Sequence, residues 1–213
     1  YSSAASDVYK RQIQSSVNSF GEIIMAGNSA AANIEQFVYV SMNALYQATI
    51  SFTSQNLGAG NYHRIRKIMI RAQLCVLAVG ILLGNAATLC GHTLLSIYSR
   101  SPEVIEAGLV RLGIVSRTYA LCGMMDVMVG GLRGIGYSPM LVSLIGACGL
   151  RLLMIATIFQ MPAFHSIQML YWSYPITWIL TFSAHLVCYL WAMKKLRRHL
   201  LNDEIPAAQE VSA

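Results

Sequence analysis

The sequence predicts an all-α polytopic membrane protein with five complete transmembrane helices and the end of a sixth. Hydrophobic residues make up 55% of the 213 residues, the mean hydropathy is +0.52, and charged residues are only 11%. Soluble domains carry about 25% charged residues, so a soluble protein with a large core is the weaker interpretation. The charges also lie mainly between apolar runs long enough to cross a bilayer, which takes about 20 residues.

The N-terminal segment 1–12, YSSAASDVYKRQ, is polar and lacks the hydrophobic periodicity of the segments after it. No apolar core comes after its basic residues, so it is not a signal peptide. We expect it to be an extraneous or disordered segment. Residues 13–27 are typical of a helix end and a short turn. Residues 13–198 then form the predicted transmembrane region, and 199–213 a cytoplasmic tail.

The first complete span is predicted at about 29–55, within one long helix that ends near Gly58 and Gly60. At roughly 100° per residue, its polar side chains share about a third of the circumference. The apolar side chains lie opposite. A spanning helix with these two faces needs lipid or protein on one side and a wet cavity on the other. The polar stripe consists of Asn28, Glu35, Gln36, Tyr39, Asn43, Tyr46, Gln47, Thr53 and Ser54.

Four more spans are predicted, at about 72–97, 110–131, 139–161 and 167–193. A basic loop at 57–71 precedes the second span. Before the third span, Ser101 and Pro102 give the start signal of a short surface helix. Pro139 opens the fourth span at the helix position that proline tolerates best.

The basic residues fall almost entirely on one side of this topology. Cytoplasmic loops carry the excess of Lys and Arg, so the 57–71 loop, the 132–138 turn and the C-terminus are predicted to be cytoplasmic. The other side receives mainly Arg100, with Glu103 and Glu106. The cytoplasmic set is Arg64, Arg66, Lys67, Arg71, Arg133, Lys194, Lys195, Arg197 and Arg198.

Charges inside spans are costly in hydrocarbon and therefore mark functional or structural sites. Glu35 and Asp126 are candidates for binding a coupling cation or proton, and a helix–helix bridge is the alternative for each. Arg117 and Asp126 point to opposite sides of the third span, so they cannot pair with each other. For Arg151 we expect a carboxylate partner, either Glu35 or Asp126, in a structural bridge.

The polar stripe also offers hydroxyls, amides and ring faces through Tyr39, Asn43, Tyr46 and Gln47. Such a surface suits amphipathic organic cations through cation–π contacts and hydrogen bonds. An interhelical polar seam is the alternative interpretation.

Several function classes find no support. The five cysteines lie inside apolar runs without CxxC spacing, and no histidine pair has metal-site spacing. No catalytic constellation is present, so an enzyme is disfavoured and no cofactor or metal is expected beyond Na⁺ or H⁺ as coupling ion. The basic residues flank spans rather than sharing one face, which argues against nucleic acid.

Two short motifs resemble those of the multidrug and toxic compound extrusion (MATE) transporters. The first is Gln55, Asn56, Gly58 and Gly60 at the end of the first complete span. The second is Leu132, Arg133, Gly134 and Gly136 after the third. Their combination over about residues 13–200 resembles the C-terminal half of such a protein.

The resemblance implies one lobe of a two-lobe bundle of twelve helices, with an N-terminal lobe as its partner. It also implies a multi-pass antiporter of the inner membrane that exports cationic drugs against Na⁺ or H⁺. A lipid-linked oligosaccharide flippase of the same fold remains an alternative, as does a half-length interaction or assembly subunit. The flippase would need a more cationic cavity for its pyrophosphate substrate.

Overall fold

The computed structural model describes residues 13, 15–17, 20–161 and 164–210. Within these residues the secondary structure is helical with no strand, so the all-α prediction is confirmed. The predicted extraneous segment 1–12 lies outside the described residues.

The long helices are α1 (Glu22–Gly58), α2 (Tyr62–Leu89) and α8 (Ile167–Glu210). Two short helices, α3 (Gly91–Tyr98) and α4 (Pro102–Arg111), come after α2. A π-helical turn (Leu112–Ser116) then leads into α5 (Tyr119–Gly134). The next region is built from short pieces. It contains α6 (Met140–Ser143), a second π-helical segment (Leu144–Gly149), α7 (Leu150–Ala156) and a 3-10 turn (Ile158–Gln160).

In the part of the chain that the structure describes, two helices are long and apolar enough to cross a membrane, Tyr62–Leu89 and Ile167–Leu196. A third span is possible if Pro102–Ser116 and Tyr119–Gly134, which meet at a 45° bend, cross together. Helix α1 has 37 residues and is long enough, at about 1.5 Å per residue, but its polar stripe leaves no stretch of it as apolar as a membrane span requires. The count of five complete spans stays a prediction.

The predicted boundaries differ from the structure in two places. The segment 57–71 is not a loop, because α2 already begins at Tyr62 and carries the basic residues on its first turns. The predicted second span, 72–97, is divided at Cys90 between α2 and α3. The loop was predicted because basic residues are concentrated in 57–71. The first turns of a helix at a membrane surface can have the same basic composition, so composition does not distinguish the two.

Helix α1 is the centre of the bundle and packs against α2, α4 and α5. Its apolar side chains Ala31, Ile34 and Met42 join the largest buried cluster, together with Val76 of α2 and Val127 of α5. The stripe of small residues on α5 allows this close packing. Gly123 lies against Met42, and Gly130 lies against Tyr46.

The basic segments assemble at one end of the bundle. Near this end Gly131 of α5 lies against Met69 of α2, and a Cβ added there would come within 3.9 Å of the Tyr189 ring of α8. At the opposite end Gly27 of α1 lies against the Val104 carbonyl of α4. The structure thus groups the segments that the charge distribution predicts to be cytoplasmic.

Candidate functional site

A buried ion pair joins α1 to α4. Arg111 donates hydrogen bonds from Nε and Nη2 to the two carboxylate oxygens of Glu35, at 3.0 and 2.7 Å. Its Nη1 donates to the side-chain oxygen of Asn28 at 2.7 Å. All three residues are buried. A bidentate, charge-assisted arrangement of this kind is strong, and it leaves Glu35 neutralised by a fixed partner.

Aromatic rings link this pair to a second buried arginine. The guanidinium of Arg111 lies 5.4 Å from the ring centroid of Tyr174, and that of Arg151 lies 3.9 Å from the same centroid. Arg151 also donates from Nε and Nη2 to Oγ1 of Thr177, at 3.2 and 2.7 Å. The cluster ties α4, α7 and α8 together through cation–π contacts and hydrogen bonds.

The predicted carboxylate partner of Arg151 is wrong for both candidates. Glu35 uses its two oxygens on Arg111, and neither Glu35 nor Asp126 lies within ion-pair distance of Arg151. A tyrosine face and a threonine hydroxyl contact the buried guanidinium at this position.

Sequence reasoning singled out Arg117 and missed Arg111. Arg117 is exposed just after the π-helical turn and forms no ion pair with a described residue. The missed signal was the spacing of Ile105, Gly108 and Arg111, all buried, which places Arg111 on the inner face of α4. The predicted span began at 110 and therefore assigned Arg111 to its edge.

Asp126 has a different environment from Glu35. It is partly buried on α5 and makes no hydrogen bond or ion pair with any residue that the structure describes. It lies between Gly123 and Gly130, the residues at which α5 touches α1. The phenol of Tyr39 is close enough to interact electrostatically with its carboxylate. Asp126 thus has no hydrogen-bonded or ion-paired counter-charge among the described residues, and Arg133 on the same helix acts on it only electrostatically, from a longer distance.

The four predicted cavity residues differ in how far they are buried. Tyr39, Asn43 and Tyr46 are each half-buried on α1, whereas Gln47 is exposed. Tyr46 accepts a hydrogen bond from Nη1 of Arg133 at 2.5 Å, and the same guanidinium lies 5.9 Å from its ring centroid. A predicted motif residue and a predicted cavity residue therefore contact each other.

The two sequence motifs end neighbouring helices, α1 and α5. Gly60 and Gly136 have φ values of +69° and +85°, a left-handed backbone conformation that glycine adopts without strain. Gly134 lies against Thr53 of α1, where an added Cβ would come within 2.5 Å of the threonine Cβ. Among the remaining motif residues, Gln55 is exposed and Asn56 donates a hydrogen bond to the Phe52 carbonyl.

We expect Thr177→Val to reduce the free energy of unfolding by about 1–3 kcal/mol, because two donors of the buried Arg151 would lose their acceptor. Denaturation of the purified chain in mixed micelles measures this change. Thr181→Val is the matched control, since Thr181 is also buried on α8 and bonds only the carbonyl four residues earlier. Equal losses in both variants would contradict a role for Thr177 in holding Arg151.

An all-helical bundle with membrane-capable helices and a polar stripe beside a carboxylate has the architecture of a membrane transporter. A family comparison identifies the chain further: residues 5–160 match the MatE family. The match covers more than half of the chain, so the protein belongs to this family of transporters. The matched range begins inside the segment 1–12. A comparison with curated proteins found no match.

Proposed function

We propose that this chain is the C-terminal lobe of a secondary active transporter that exports amphipathic organic cations in exchange for Na⁺ or H⁺. Membership of the MatE family supports a transporter in general. The exchange mechanism, the cargo and the inner-membrane location with a cytoplasmic C-terminus belong to the proposal. An N-terminal lobe would close the other side of the cavity that the polar stripe lines.

The observation that carries the proposal is the contrast between the two intramembrane acids. Both oxygens of Glu35 are taken by Arg111, so this acid serves as a structural bridge. Asp126 has neither a hydrogen bond nor an ion pair among the described residues, so its carboxylate is available. We therefore assign coupling to Asp126 and not to Glu35.

Coupling results if the ion and the cargo compete for this acid. A cation or proton bound at Asp126 removes its negative charge, and an organic cation then loses its main electrostatic attraction to the cavity. Tyr39 and Asn43 supply a ring face and an amide for the cargo on the adjacent stripe. A ligand that binds one conformation better shifts the population toward it, which links ion entry to cargo release.

Asp126→Asn should abolish energised efflux of a fluorescent cationic dye, while the amount of folded protein stays near that of the parent. Efflux is measured in cells lacking other exporters, with the complete coding sequence that contains these residues. Glu103→Gln is the matched control, because Glu103 is an exposed acid on the first turn of α4. Undiminished efflux in the Asp126→Asn variant would overturn the assignment.

Glu35→Gln separates coupling from structure in the same assay. We expect it to lower the amount of folded protein, because Arg111 would lose its counter-charge in a buried position. Efflux per folded molecule should nevertheless persist. If efflux per molecule is lost in Glu35→Gln and retained in Asp126→Asn, the roles of the two acids are reversed.

A further inference from the structure

A large groove separates the start of α2 from the last membrane turns of α8, at the end of the bundle that holds the basic segments. Its volume is about 1080 Å³. The groove lies outside the polar stripe, and the proposed transport mechanism does not use it. Its lining residues are both basic and apolar, and on α2 the basic residues come before the apolar Ile70.

The rim of the groove is positively charged. Arg66 and Lys67 come from the second turn of α2, and Lys194 comes from α8 across the groove. All three are exposed, as is His63 on the first turn of α2. No described acid lies within ion-pair distance of these side chains. The charges are therefore available to an anionic partner.

The wall below this rim is apolar and accessible. Ile70 is 51% exposed and Leu190 is 59% exposed, and both line the groove. Further along the same helix faces, Leu74 on α2 and Val187 on α8 are also exposed. Such a surface continues into the hydrocarbon layer and would lie along acyl chains.

The floor of the groove contains a polar group without a hydrogen-bond partner in the described part of the chain, the hydroxyl of Tyr189. Tyr189 lines the groove with only 6% of its surface exposed. Its hydroxyl is buried and has no hydrogen-bond partner among the described residues. Arg66 is close enough to interact electrostatically with this phenol. Buried hydroxyls normally have a partner, so an acceptor bound in the groove would satisfy this one.

We propose that this groove binds an anionic phospholipid of the membrane leaflet on that side, with its phosphate between Arg66 and Lys194. A rotation of the Tyr189 side chain toward the groove would let its hydroxyl donate to a phosphate oxygen, and the acyl chains would run along Ile70 and Leu190. Basic pockets between membrane helices on the cytoplasmic side recognise such headgroups. A cationic cargo is repelled by the same rim, and a soluble anion would leave the apolar wall uncovered.

Native mass spectrometry of the full chain in neutral detergent tests the proposal with phosphatidylglycerol and phosphatidylcholine of identical acyl chains. We expect phosphatidylglycerol to bind about tenfold more tightly, and the double variant Arg66→Gln/Lys194→Gln to remove this preference. The control is Arg64→Gln/Lys195→Gln, which makes the same charge change on the same two helices outside the groove. This control should keep the preference, and both variants should elute like the parent on size exclusion.

Two further measurements separate the groove from general surface charge. Tyr189→Phe removes only one hydroxyl and should weaken phosphatidylglycerol binding severalfold, whereas inorganic phosphate in large excess should not displace the lipid. An equal loss in the two double variants would overturn the proposal. So would equal binding of the two lipids, unchanged binding by Tyr189→Phe, or displacement by phosphate.

Discussion

Arg111→Met is expected to reduce the free energy of unfolding by about 3–5 kcal/mol, because it leaves the buried Glu35 carboxylate without its counter-charge. Asn28 loses its donor at the same time. The measurement is denaturation of the purified chain in mixed micelles, monitored by circular dichroism. Arg117→Met is the matched control, since Arg117 is exposed six residues later and should change stability little.

The double variant Glu35→Met/Arg111→Met distinguishes a buried charge from lost packing. Replacing both members of a buried pair by apolar residues of similar volume is often neutral. The double variant should therefore recover most of the free energy of unfolding that Arg111→Met loses. If the double variant is as unstable as Arg111→Met, uncompensated charge is not the cause. If Arg111→Met and Arg117→Met are equally stable, the ion pair contributes nothing to the fold.

The helical architecture was predictable because membrane spans leave a strong compositional signal. Apolar runs and basic flanks identified the helical segments. A membrane span needs an apolar run, and basic residues concentrate in cytoplasmic loops, whatever the tertiary structure is. The break at Cys90 was not visible, because it lies inside a run without Lys, Arg, Asp or Glu that contains no proline. Hydropathy reports where a segment lies in the membrane and not whether its backbone stays continuous.

The candidate site was predictable only in its composition. Glu35 and Asp126 were identified as intramembrane acids, but the difference between their environments depends on Arg111, which the third span's predicted boundary placed at an edge. The π-helical turn after Arg111 joins α4 to α5 at a 45° bend. A single extra residue in a turn changes which side chains share a face, and no periodicity argument at a fixed 100° per residue reproduces it.

That bend depends on a close contact with α2 that the sequence also encodes. Gly80 and Gly84 on α2 face Ala120 and Ser116, so small residues spaced four apart meet on both sides. One turn further, Thr88 donates a hydrogen bond to the Leu112 carbonyl in the π-helical turn at 3.3 Å. The contact of α2 with this turn thus holds the backbone directly after Arg111.

Gly84→Ala should therefore destabilise the chain by about 1–3 kcal/mol, because the added methyl group would overlap the Ser116 carbonyl oxygen, a backbone atom that cannot rotate away. Gly84→Leu should prevent the helices from packing. Gly58→Ala is the control at a helical glycine with open space, where alanine should be neutral or favour the helix. Denaturation in mixed micelles compares the three. Equal stability of Gly84→Ala and Gly58→Ala would show that α2 does not hold the bend, and the position of Arg111 beside Glu35 would then need another cause.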